Sequence, residues 1–246
     1  MKLPIALPPW TKQGKRLESA TRKALYDYKM LDGCDKLTIA LSGGKDSMTL
    51  LYLLNAIKGR GFHDFEIKAV CVEGEFSCGA GVSINMLRDV CEALGVAFET
   101  RRSIQTLEGL ACYRCSRERR KLIFEAAHEW GSNTVAFGHH RDDDIQTLMM
   151  NLCHKGEFAG LLPDLYMQDY DIKIIRPLIY LAEDDIRRFA EKYSFGRVMC
   201  QCPVGQDSMR KEVEDLISKM ERSFPNIRKN LAHASKYYGS EKARNR

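Results

Sequence analysis

The sequence predicts an α/β fold: a doubly wound, mostly parallel sheet with a helical N-terminal leader and closing C-terminal helices. Three observations carry that expectation. Short apolar, β-branched runs alternate with longer stretches of helical periodicity along most of the 246 residues. Two polar, glycine-containing junctions each follow a strand, which is where an open parallel sheet gathers its ligands. The composition, 44% hydrophobic and 29% charged, is that of a globular chain and excludes disordered and fibrous classes.

Taken in order, residues 1–33 read as a basic helical leader and 36–41 (KLTIAL) as a buried strand stopped by Ser42-Gly43-Gly44. Residues 46–57 place Met48, Leu50, Leu51, Leu53, Leu54 and Ile57 on a helix packed against a sheet. Strands at 66–72 and 96–101 flank a helix at 81–94. A helix at 116–130, a strand at 133–137 and a helix at 142–153 follow, then a short strand at 173–175 and a helix at 183–193. Helices at 211–220 and 225–238 close the chain. The expected organisation is a leader (1–33), one α/β domain (34–200) and a helical, basic C-terminal segment (201–246) packed on that domain.

The net charge is +5, with basic residues gathered at the ends. Lys2, Lys12, Lys15, Arg16, Arg22 and Lys23 precede the first strand, and Arg228, Lys229, Lys236, Lys242, Arg244 and Arg246 face only Glu241 at the other end. Such ends suit phosphates, although solvated helix faces explain a charge run equally simply. No stretch reaches the roughly 20 apolar residues that a membrane span needs, so no membrane association and a cytoplasmic location are expected. The nine cysteines then read as metal ligands, functional thiols or core residues, not as a disulfide framework.

The first junction, Ser42-Gly43-Gly44-Lys45-Asp46-Ser47, can turn tightly and bring backbone amides of a helix start to an anion. Ser42 and Ser47 offer hydroxyls and Lys45 a cation. The spacing is neither that of the G-x-x-x-x-G-K-[ST] loop nor that of a dinucleotide fingerprint. The second junction, Gly138-His139-His140-Arg141-Asp142-Asp143-Asp144, puts carboxylates at a helix start, where they suit the dipole, a divalent cation or a proton. A plain helix cap accounts for those acids too, and His140 reads equally as a structural histidine.

Cys112-Tyr113-Arg114-Cys115 opens a helix rich in cations (Arg117, Arg119, Arg120), which favours thiolates. With Cys200-Gln201-Cys202, the pair supplies either a closed Cys₄ zinc site or three ligands of an iron–sulfur cluster with one iron open. Cys34, Cys71, Cys91 and Cys153 lie in apolar segments and read as core.

The order SGGKDS, CYRCSRERR, GHHRDDDIQT, IRPLIY and the late Cys-containing turn resembles the tRNA 2-thiocytidine synthetase (TtcA-like) family of PP-loop ATP pyrophosphatases, from about residue 35 to 216. The resemblance implies a PP-loop (HUP-like, Rossmann-type) domain, ATP, Mg²⁺ and a [4Fe-4S] cluster held by three cysteines. The implied reaction is thiolation of cytidine, at position 32 of tRNA. By resemblance, Cys112, Cys115 and Cys202 (Cys200 as the alternative) are the cluster ligands. Ser42, Gly43, Gly44, Lys45, Asp46, Ser47, Gly138 and His139 bind ATP, and Lys45, Asp46, Asp142 and Asp143 serve catalysis. Arg114, Arg117, Arg119 and Arg120 are expected on RNA. A sulfur donor such as a cysteine desulfurase or free sulfide is implied as a partner, and a homodimer is allowed. Residues 73–78 depart from the family pattern. The competing expectations are a lysidine-synthetase-like enzyme, in which an amine attacks the adenylate, and a zinc-stabilised, non-catalytic nucleotide-binding regulator.

Overall fold

The computed structural model describes residues 3–74, 83–104, 112–195 and 209–238, and of residues 112 and 113 the backbone alone. Helix α1 (Lys12–Asp27) leads into β1 (Lys36–Ala40), α2 (Lys45–Ile57), β2 (Glu66–Glu73), α3 (Ile84–Ala93) and β3 (Ala97–Arg102). Then come α4 (Cys112–Glu129), β4 (Thr134–Ala136), α5 (Arg141–Lys155), β5 (Asp164–Met167), β6 (Ile172–Ile175) and α6 (Glu183–Lys192). Two more helices, α7 (Met209–Ser223) and α8 (Ile227–Tyr238), follow.

The six strands are ordered β3-β2-β1-β4-β6-β5, all parallel except β5, which pairs antiparallel with β6 at the edge. Period-two alternation sorts the side chains of the strands. In β2, Ile67, Ala69 and Cys71 join the core with α1, α2 and α6, whereas Val70 and Val72 turn to Ile123 and Phe124 of α4 on the opposite face. Burial on both faces is what makes these strands apolar throughout. The leader is part of this core, since Leu17, Ala24 and Leu25 pack with Leu51, Phe189 and their neighbours. A third, smaller cluster, Ile145, Met149, Val213 and Ile217, fastens α7 to α5.

Two sequence expectations shift. The helix expected at 81–94 starts at Ile84, because Ser83 caps it by accepting a hydrogen bond from the Met86 amide at 3.3 Å. Strand β5 was not foreseen at all. Of the residues singled out in the sequence, Cys200 and Cys202 and most of the segment 73–78 lie outside the described residues.

Candidate active site at the sheet switch point

From β1 the chain builds outward to β2 and β3, then returns through α4 to β4 on the other side of β1. The carboxyl ends of β1 and β4 are therefore neighbours whose following loops diverge, which opens a crevice. Both glycine junctions identified in the sequence emerge there.

The first loop depends on Gly43, which sits at φ +78°, a region disfavoured for residues with a Cβ. Gly44 is the N-cap of α2, and the amides of Lys45, Asp46 and Ser47 occupy the first turn, where the helix offers them no acceptor. The serine hydroxyls brace the loop itself. Ser47 Oγ donates to the Gly44 carbonyl at 3.1 Å, accepts from the Ser42 amide at 3.2 Å and meets Ser42 Oγ at 3.1 Å. The second loop lies directly against the first, because a Cβ on Gly138 would stand 3.0 Å from both Asp46 C and Ser47 N. Only glycine allows that approach.

Charge is arranged around this junction. Lys45 Nζ lies 3.0 Å from both Asp46 Oδ2 and Glu183 Oε1. Burial alone would lower its pKa, but the two carboxylates outweigh that and hold it above the ordinary lysine value. Burial raises the Asp46 carboxyl against the pull of His140 and Lys45. His140 Nε2 stands 3.6 Å from Asp46 Oδ1 and 3.4 Å from Asp143 Oδ2, so the first and second loops share one carboxylate pair around a buried ring. Asp143 resists its own burial because His140, His139, the His140 amide (3.0 Å) and Arg210 (2.8 Å) all favour its ionised form, and its pKa is lowered. Burial, and then the Arg176 cation, push the His139 imidazole down to about 3, so it is neutral at physiological pH.

The three adjacent aspartates have separate tasks. Both oxygens of buried Asp142 are engaged: Oδ2 accepts from the Glu183 amide at 2.9 Å and Oδ1 pairs with Arg228 at 3.3 Å. Asp142 thus ties α5 to α6 and α8. Asp144 accepts from the Leu161 amide at 2.6 Å and from Ser235 Oγ at 3.1 Å, and burial raises its pKa to about 6. That leaves Asp46 and Asp143 as the carboxylates meeting between the loops. Arg228, expected from the sequence on phosphates, is spent on Glu214, Glu221 and Asp142.

Sequence reasoning missed Glu183, Arg176 and Arg210. Arg176 stood in the quoted IRPLIY segment, and Glu183 in an acidic first turn that a helix cap explains as well; nothing local marked Arg210.

Helix α4 runs antiparallel to the strands it covers, so its first turn is at their carboxyl edge. Two contacts fix that sense. Glu118 accepts from Ser103 Oγ and the Ile104 amide, both at 3.2 Å, just past the end of β3. At the other end, the Trp130 carbonyl receives Lys36 Nζ at 3.1 Å beside the start of β1. Cys112 and half-buried Cys115 therefore begin α4 on the same edge as Gly43 and Gly138, one helical turn apart. Arg120 reaches the second loop electrostatically, lowering the pKa of both His139 and Arg176. Arg114 and Arg117 are exposed, while Arg119 is half-buried with its Nε unpartnered among the described residues.

The other cysteines separate cleanly. Cys34, Cys71 and Cys91 are buried, and burial pushes the thiols of Cys71 to about 11 and of Cys91 to about 12. Cys153, expected in the core, is exposed, because it lies in the last turn of α5 just before the left-handed Gly156 cap.

Known proteins are similar to this chain in sequence and fold. The profile of the PP-loop domain family matches residues 14–198. The tRNA-cytidine(32) 2-sulfurtransferase of Bordetella avium (strain 197N) is 36% identical over 232 residues, 91% of this chain and 73% of the relative. The enzyme of the same name from Coxiella burnetii (strain CbuG_Q212) is 34% identical, covering 89% of this chain and 88% of the relative. The chain belongs to this PP-loop sulfurtransferase family. Among solved structures, the U34-tRNA thiolase NcsA from Methanococcus maripaludis, determined with its [4Fe-4S] cluster, superposes with a TM-score of 0.73. It is 25% identical, and the match covers 91% of this chain and 78% of that one. The crevice between β1 and β4, which the close approach of Gly138 to the Gly43-Gly44 loop shapes, lies within the matched PP-loop domain. No helix among the described residues is long and apolar enough to cross a membrane.

Proposed function

We infer that the chain is an ATP-dependent, iron–sulfur-dependent tRNA thiolase that replaces the C2 oxygen of a cytidine, at position 32, with sulfur. The observation that carries this reading is the shared edge: the phosphate loop at Gly43-Gly44 and the cysteine pair opening α4 emerge on the same side of one sheet. The names of the relatives and of the NcsA neighbour support it.

ATP would lie with its pyrophosphate over Gly43, Gly44 and the first amides of α2, a helix start being a ready anion site. Lys45 stays an ammonium there and can neutralise charge as the cytidine O2 bonds to the α-phosphorus and the pyrophosphate oxygen leaves. Mg²⁺ would be held first by Asp46, whose Oδ1 has no hydrogen-bond partner among the described residues, with Asp143 beside it across His140 if its contact with Arg210 is exchanged for the metal. The resulting AMP–O–C2 bond breaks when sulfur attacks C2, and AMP departs. Cys112, Cys115 and Cys202 (or Cys200) would hold a [4Fe-4S] cluster, which supplies the site from which sulfur is delivered. His139, neutral and half-buried, can accept a hydrogen bond at Nδ1, which has no partner among the described residues. The sulfur itself would come from a cysteine desulfurase or free sulfide, and the chain would work in the cytoplasm.

Anaerobic purification tests this. The wild type should carry iron and a broad visible absorption, and Cys115→Ala should lose both while still binding ATP. One equivalent of colourless zinc in place of iron would overturn the reading in favour of a closed Cys₄ site.

A further inference from the structure

A second concavity lies on the same edge, on the far side of the first turn of α5. It has a volume of about 390 Å³, and none of residues 42–47 lines it. That volume falls within the range of small-molecule sites, roughly 300–1,000 Å³. Its position follows from the topology. Strand β5 runs antiparallel, so its first residue, Asp164, pairs with the last of β6, Ile175, at the carboxyl edge. The walls come from that end of β5, from Arg141 and Asp144 of α5, from the start of α8's last turns, and from Tyr28 after α1. The α5 turn is a shared partition, with Asp143 and its partner His140 belonging to the nucleotide crevice and Arg141 and Asp144 to the cavity.

The lining has a definite chemistry. Tyr28 and Tyr180 present rings with centroids 5.9 Å apart, tilted by 46°, and half-exposed Tyr166 stands at the rim. Lys236 Nζ lies 5.0 Å from the Tyr180 ring centroid, 2.9 Å from its hydroxyl and 3.8 Å from Asp27 Oδ2, which places a cation at the mouth that a phosphate would take over from Asp27. Arg141 Nε is buried and has no hydrogen-bond partner among the described residues. Asp144, by contrast, is committed to Leu161 and Ser235 and holds the floor rigid. Aromatic rings, the Arg141 guanidinium in the wall and a cation at the entrance match a base with its phosphate. RNA-binding proteins recognise unpaired bases by stacking them on aromatic rings and bonding their edges. A lipid chain would have no use for the guanidinium, nor an acidic peptide for the rings.

We propose that this cavity receives one unpaired pyrimidine of the substrate RNA, with the tyrosine rings along one side of it, Arg141 donating to its carbonyl edge and Lys236 meeting a neighbouring phosphate. The proposal rests on the tRNA-thiolase reading and adds where a base other than the reacting cytidine is held, since the α5 turn separates this cavity from the nucleotide crevice.

The probe is a fluorescent hairpin RNA with a cytidine-containing loop, read by anisotropy. Leu162→Trp fills the cavity from a half-buried loop position, and Tyr166→Ala removes a rim ring on the edge strand. Since stacking on one aromatic is worth about 1–3 kcal/mol, or roughly 5- to 150-fold, the first variant should weaken binding at least about tenfold and the second severalfold. Melting temperature and ATP affinity should stay at wild-type values. An abasic loop should cost the wild type a similar factor and cost Leu162→Trp nothing more. Undiminished RNA affinity in both variants, or an abasic hairpin bound as well as the intact one, overturns the cavity assignment. If the wild type still thiolates RNA in that case, the tRNA-thiolase reading survives. A wild type that binds no RNA brings down both.

Discussion

Gly44→Ala separates binding of phosphate from integrity of the fold. The added Cβ would find only Ser42 Oγ, at 3.5 Å, an ordinary contact. Gly44 sits at φ −71° and ψ 161°, an extended conformation open to any residue. Alanine is a poorer N-cap, by up to about 1 kcal/mol, but it reduces the freedom of the unfolded chain by about 0.4–1 kcal/mol. The two effects nearly cancel, so stability should change by under about 1 kcal/mol. Binding of a triphosphate is another matter, because the methyl group would stand where the loop's amides must approach phosphate oxygens. Loss of one hydrogen bond to a charged group costs about 1.5–3 kcal/mol, a 10- to 150-fold weakening. Calorimetric titration with ATP, alongside a urea melt of the ligand-free chain, reads both quantities. An ATP affinity within twofold of wild type would refute the placement of the phosphates over this loop.

Three further outcomes are expected. Asp144 is raised by burial from 3.8 to about 6, so the fold favours its protonated form and carries a penalty of about 3 kcal/mol at neutral pH. As pH falls from about 7 to 4 that penalty is relieved, and the stability difference between wild type and Asp144→Asn should move in favour of the wild type by that amount; a flat difference across the window refutes the shift. Arg228→Ala leaves Asp142, Glu214 and Glu221 without their shared cation and should cost about 3 kcal/mol in a denaturant melt, with Arg228→Lys recovering part; a cost under about 0.5 kcal/mol would mean that the network is idle. Iodoacetamide at pH 8 should label Cys153 in the native chain, whereas Cys34, Cys71 and Cys91 should react only after unfolding, as peptide mass spectrometry can read.

The parts of the fold that were legible in the sequence are those written locally. The strand-to-helix junctions at Gly43 and Gly138 announce themselves through glycines flanked by a β-branched run and a helical period, and both fall where expected. Strand β5 does not, since Asp164–Met167 is four residues with an exposed tyrosine, and only its pairing with β6 makes it a strand. The same distinction divides the site. Asp142, Asp143 and Asp144 look equivalent in the sequence. Their division of labour is set by groups far along the chain: Glu183, Arg210, Arg228 and Ser235. Arg228 was misread for that reason, because a basic run near a terminus gives no sign of the acids that meet it. Cys153 was misplaced for a related one, as an apolar neighbourhood in sequence does not reveal which side of a last helical turn faces solvent.

On the proposed function, a single sheet edge activates a cytidine with ATP and supplies its sulfur. Anaerobic incubation of the iron-loaded chain with ATP, Mg²⁺, sulfide and tRNA, followed by nuclease digestion and mass spectrometry, tests it directly. 2-Thiocytidine should accumulate, with one AMP released for each sulfur inserted. Unmodified nucleosides from a chain that has bound ATP and retained its iron would contradict it.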